Sequence, residues 1–206
     1  MKIIISGLIS IFMLFGIIGC GDDDSSTTNS NQIDLLYYIA PKNDSVASYS
    51  IYKTIIDNSS NENTTKFVES YTKQYLITDQ KITVNDSIED EPYVIYIYED
   101  KLSDSSSGNI KRFIKVNDII MEKNIEKMSF TMVYSKYYDK KEFVIDGHKY
   151  EFNNVIMLTS TFQESNTSEV TINYFSQDIG LVYRTSYNYN ENGEKISYNE
   201  DILISH

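Results

Sequence analysis

Two histidines, one cysteine and thirty carboxylates are what this 206-residue chain offers for building a reactive site. His148 follows Asp146-Gly147 and reads as the edge of a surface turn, while His206 stands at the end of the sequence. Neither sits in a spacing that makes a metal pair or a base and nucleophile. There is no HExxH, no CxxC, no Gly-rich phosphate loop and no GxSxG. The acidic clusters Glu89-Asp90-Glu91, Glu99-Asp100 and Glu200-Asp201 fall where the pattern puts segment ends or loops. A solvated role is expected for them, and no glycosidase-type pair is indicated. Asn190 to Glu194 superficially resembles a calcium loop but lacks the ligand spacing and the distal glutamate, so a hairpin turn is expected. We expect no catalytic residue, no metal site and no cofactor.

The aromatic residues are the other chemistry-bearing set: eighteen Tyr and nine Phe, with no Trp. Tyr183, Tyr187 and Tyr189 share an alternating face with Leu181, and Tyr96 and Tyr98 share one with Val94. Core and cross-strand packing, with hydroxyls at the rim, is one role for such a row. A Tyr-lined groove for a lipid, glycan or peptide is the other, with Tyr183, Tyr187 and Tyr189 as its candidate ligand-binding residues.

The lone Cys20 has no intrachain disulfide partner, and with two histidines it builds no metal cluster. What precedes it is informative. Lys2 gives a short positive start, and Ile3 to Ile18 is an apolar run broken by Ser6, Gly7, Ser10 and Gly16. The run is short for a spanning helix and is flanked as an export signal is. Ile17-Ile18-Gly19-Cys20 resembles the lipobox of bacterial lipoproteins, with Ile18 where a small residue is commoner. The resemblance implies cleavage between Gly19 and Cys20 and acylation of Cys20. Several acyl chains, at about 0.8 kcal/mol per buried CH₂, give stable anchoring where one is marginal. Asp22, Asp23 and Asp24 resemble the acidic surface-export signal of Bacteroidetes lipoproteins, or form a plain solvated spacer. Gly21 holds the position where an Asp resembles the inner-membrane retention signal of enteric bacteria, which favours the outer membrane.

The expected organisation is therefore a signal peptide over 1–19, a flexible acidic tether over 20–32 and a single antiparallel β domain over 33–206. A net charge of −12 with no basic stripe argues against a nucleic-acid partner. From Ile33 onward, short alternating apolar segments separated by turn signals predict an all-β fold. It would be an antiparallel meander forming a curved sheet or partly open barrel of roughly ten strands. Val46 to Ile56 puts Ala47, Tyr49 and Ile51 on one face. Phe67, Tyr71 and Tyr75 fit a strand or a helical face, and we read a strand. Asn58 to Thr64 and Ser103 to Asn109 read as loops, and Ile110 to Val116 as one strand. Tyr93 to Tyr98 is apolar on both sides, which predicts a strand covered on both faces. Asp118 to Met128 is the one helix expected, capped by Asp118 with Met121, Ile125 and Met128 aligned. Asp146-Gly147 and Asn192-Gly193 predict hairpin turns, and Gly180 a turn or bulge that a Cβ would oppose. Ile172 to Tyr183, with Val144 to Leu158 before it, is loosely similar to a hairpin near the C-terminus of uncharacterised β-meander envelope lipoproteins. That resemblance implies an antiparallel sheet and no activity.

Three functions are compatible with this reading. The first is a lipid-anchored envelope lipoprotein with a binding or structural role and no enzymatic activity, its membrane partner reached through Cys20. The second is a periplasmic carrier or chaperone holding a hydrophobic ligand in the curved sheet. The third is a hydrolase with an unrecognised carboxylate site.

Overall fold

The computed structural model describes residues 32–57, 62–89, 91–104, 108–145, 147–164 and 167–205. The chain begins with β1 (Ile33–Asp34) and α1 (Leu36–Ile39). A first run of strands follows: β2 (Ser45–Asp57), β3 (Glu62–Ile77), β4 (Lys81–Asp86), β5 (Tyr93–Ile97), β6 (Lys101–Asp104) and β7 (Gly108–Lys111). After the short β8 (Phe113–Ile114) comes a second run: β9 (Ile119–Ile125), β10 (Met128–Ile145), β11 (His148–Glu164), β12 (Thr167–Ser176), β13 (Gly180–Tyr189) and β14 (Lys195–Ser205). Each run is an antiparallel meander. Pairing of β14 with β2 joins them into one twelve-stranded sheet with β7 and β9 at its edges. Those two edges come into contact, so the sheet nearly closes into a barrel and little open ladder remains. β1 and β8 form a separate two-stranded patch, Ile33 opposite Ile114.

The fold is all-β, as the alternation predicts. The most deeply buried residues follow the two-residue period: Ala47 and Tyr49 on β2, Tyr71 and Tyr75 on β3, Ile82 and Val84 on β4. Tyr49 and Tyr71 are ladder partners with rings stacked at 4.9 Å. β3 settles the ambiguity of Phe67, Tyr71 and Tyr75 in favour of a strand. A bulge opposite Ile51 and Tyr52 breaks its alternation, so Phe67 is exposed although Tyr71 is not. The strand also takes in Glu62 to Thr64, expected to be loop.

Several expectations are corrected. Asp118 to Met128 is not a helix: β9 covers most of it. The Asp118 carboxylate caps a turn instead, accepting from the Lys115 N–H at 2.8 Å and from Lys111 Nζ at 2.7 Å. Backbone bonds from Asn117 and to Asp118 tie that turn to Tyr134 of β10, and the segment completes β10's ladder. Ile110 to Val116 is split between β7 and β8. β5 is covered on one side only: Ile95 is buried while Tyr96 on the other face is 44% exposed.

The helix that does form, α1, is unforeseen. The Asp34 carboxylate accepts the Leu36 N–H at 3.0 Å and starts the turn, and Leu35 and Tyr38 are buried. Pro41 ends it, because the residue before a proline is driven out of the helical region, and Ala40 is extended. The turn between β12 and β13 locks onto this segment: the Asp178 N–H donates to the Tyr37 carbonyl and the Lys42 N–H to the Asp178 carbonyl. Gly180 in that turn has φ +94°, and a Cβ there would lie 3.4 Å from the Ala40 Cα. Gly180→Ala is expected to cost about 2 kcal/mol, seen as a lower urea midpoint at unchanged slope. A loss under about 0.5 kcal/mol, the range of an indifferent surface change, would contradict this.

β10 and β11 outrun their neighbours. β9 leaves β10 at Val133 and β12 leaves β11 at Val155, so the remainder is a two-stranded ribbon. Its tip turns at Gly147, φ +75°, between the partners Ile145 and His148. Such a ribbon is marginal alone. A bulge at Ser135 and the left-handed Asn154, φ +50°, bend it back, and Phe143 comes to rest on Tyr174 and Tyr183 of β12 and β13.

Candidate functional site

The two faces of β13 and β14 have different chemistry. One face, shared with Tyr49, Tyr71 and Tyr75, carries charges. Arg184 and Asp201 are ladder partners and form an ion pair, and the Tyr71 hydroxyl donates to Asp201 Oδ2 at 3.2 Å. Asp201 is 3% exposed. On β3 and β4 the ladder partners Lys73 and Asp86 form a second pair at 2.9 Å, with Lys73 Nζ near the Tyr71 and Tyr93 rings. The Tyr49 hydroxyl donates to the Leu181 carbonyl at 3.0 Å. The solvated role expected of Glu200-Asp201 is therefore wrong. Both lie inside β14, and each holds a partner from β13. Glu89, Glu91, Glu99 and Asp100 are exposed, as expected. Among the described residues, no three His, Cys, Asp or Glu side chains gather as metal ligands would.

The opposite face carries the aromatic row. Phe143 from the ribbon tip stacks on Tyr183 at 4.4 Å and meets Tyr174 edge-on at 5.0 Å. The Tyr183 hydroxyl donates to Glu200 Oε1 at 2.5 Å. Burial, reinforced by that carboxylate, pushes the Tyr183 phenol well above the ordinary tyrosine range. Lys195 Nζ stands 3.9 Å from the Tyr187 ring centre. Between the tip and the sheet lies a groove of about 280 Å³, walled by Phe143, Tyr174, Tyr183 and Tyr187, with Thr185 between the last two. Thr185 is 4% exposed, and its hydroxyl finds no hydrogen-bond partner among the described residues.

Of the three tyrosines singled out in the sequence, the structure brings Tyr183 and Tyr187 into this groove and leaves Tyr189 outside its walls. Phe143, Tyr174 and Thr185 were not foreseen. The spacing places Thr185 on the Tyr183–Tyr187 face, but only the folded-back ribbon brings Phe143 there. His148 is exposed at the start of β11. Gly19, Cys20 and nearly all of the tether lie outside the described residues, as do Asp146 and His206. A larger groove of about 550 Å³ opens beside α1. Its Arg112 is committed to Asp34 through two nitrogens and to the Tyr98 carbonyl at 2.7 Å.

No protein-family model matches the chain, and no curated protein does either. Among solved structures it is similar to a protein from Bacteroides fragilis, described as exported and as having a YmcC-like fold. Identity is 9% and the TM-score 0.43, over 81% of this chain and 97% of the other.

Proposed function

We propose that this protein is a lipid-anchored lipoprotein of the bacterial envelope, attached at the outer membrane through acylated Cys20. Its β domain binds a ligand without transforming it. The observation that carries the binding role is the aromatic groove under the ribbon tip. It gathers Phe143, Tyr174, Tyr183 and Tyr187 around a buried, unpaired hydroxyl. Its lining is mixed, with Lys141, Glu142 and Thr185 among the aromatic rings, and convergent polar groups beside aromatic side chains are a feature of ligand pockets. The acids beside it are already engaged, Glu200 by Tyr183 and Glu142 by Lys149, which favours binding over acid–base chemistry. The other face is a poor holder for an acyl chain, because Arg184, Asp201, Lys73 and Asp86 lie on it.

The anchor is tested by metabolic labelling with a radioactive fatty acid. Label is expected on the wild type and in the membrane fraction, and both are expected to be lost in Cys20→Ser. An unlabelled wild type, or label persisting in Cys20→Ser, would overturn the anchor.

A further inference from the structure

We infer that the ligand of the groove is a neutral saccharide, one or two sugar rings held between the ribbon tip and the Tyr183–Tyr187 wall with a hydroxyl bonded to Thr185 Oγ1. The inference rests on reading the groove as a binding site, and it adds the chemistry of what enters.

Four observations point to a sugar. First, the walls are aromatic. An aromatic face is electron-rich, and the C–H edges of a pyranose ring carry the complementary partial charge. Second, the Thr185 hydroxyl is unpaired and buried. A hydroxyl both donates and accepts, and a sugar hydroxyl does the same, so the two match in either sense. An acyl chain would leave Thr185 unpaired and keep the cost of its burial. Third, the acids at the rim already have partners. Glu142 pairs with Lys149, Lys141 Nζ lies 4.9 Å from the Tyr138 ring centre, and Glu200 holds the Tyr183 hydroxyl. Both carboxylates beside the groove are thus engaged, and neither is free to recruit a cation. Fourth, about 280 Å³ is at the small end for ligand sites, which suits a ring or two better than a long chain or a peptide.

Entry is consistent with the architecture. The tip lies beyond the reach of β12, so side-chain contacts such as Phe143 on Tyr183, and not ladder hydrogen bonds, hold it over the groove. Phe143 is stacked on Tyr183, so a ring entering beneath the tip displaces that side-chain contact and no rung of the sheet.

The test uses the full chain, purified in mild detergent, on an array of immobilised neutral and acidic glycans. Binding of the fluorescent fatty acid cis-parinaric acid is measured in parallel. We expect neutral glycans to be retained. Thr185→Val should weaken that binding about fivefold, the loss of one hydrogen bond, while leaving the melting temperature equal or higher because an unpaired buried hydroxyl is gone. Tyr187→Ala should weaken it about tenfold or more. Retention of acidic glycans alone overturns the neutral class. Fatty-acid binding that depends on Tyr187, with no glycan retained, overturns the saccharide and keeps the groove as a binding site. Binding of either probe that ignores both variants overturns the groove itself, as does no binding of any probe.

Discussion

Asp201→Ala is expected to lower the unfolding free energy by about 3 kcal/mol, read from urea titration of the β-sheet signal. The carboxylate is 4% exposed at its side chain and serves two donors, the Arg184 guanidinium and the Tyr71 hydroxyl. Removing it leaves the buried Tyr71 hydroxyl without its acceptor and the Arg184 guanidinium, 35% exposed, without its counter-charge. The pair's net value is a different quantity. Its charges were taken from water at a cost that rivals their attraction. The triple variant Arg184→Met, Asp201→Leu, Tyr71→Phe should therefore recover to within about 1 kcal/mol of wild type. A loss of less than about 1 kcal/mol in Asp201→Ala would show that the pair behaves as a surface ion pair.

Alkali is expected to unfold the domain in one cooperative step, with tyrosinate absorbance and loss of sheet signal rising together. Burial pushes the phenols of Tyr49, Tyr71, Tyr75, Tyr93, Tyr134 and Tyr183 far above their ordinary value of 10.0, and that of Tyr38 up to about 12. Below about pH 10 these groups are neutral in both the folded and the unfolded chain, so their contribution is fully present. Above it the unfolded chain releases protons that the folded chain keeps. Stability then falls with rising pH until the sheet gives way. Smooth ionisation of all eighteen tyrosines near pH 10, with the sheet intact, would contradict this.

What the sequence disclosed was local, and what it concealed was register. The hairpin at Gly147 and the turn at Gly180 are properties of a few adjacent residues, and both were legible. The alternation of Tyr71 and Tyr75 was legible as well, since a strand's period shows in its own residues. Asp201 was not, because two adjacent acids look like a solvated end until the ladder sets Arg184 opposite one of them. Met121, Ile125 and Met128 fit a helical spacing, but the segment pairs with β10, a partner that no local pattern announces. The groove was half legible for the same reason. Tyr183 and Tyr187 follow from alternation along one strand, whereas Phe143 arrives from forty residues away in sequence.

The pairing of β14 with β2 has a consequence for the order of folding. The two meanders are each built from neighbours in sequence, which can associate as soon as they are made. The seam between them joins the first long strand to the last, Ile51 to Asp201, across nearly the whole described chain. Contacts of such separation are slow to form. A chain emerging N-terminus first would hold an unmatched β2 edge until β14 arrived. Truncation before β14 would leave two half-sheets with nothing to join them. Completion of the barrel thus waits on β14.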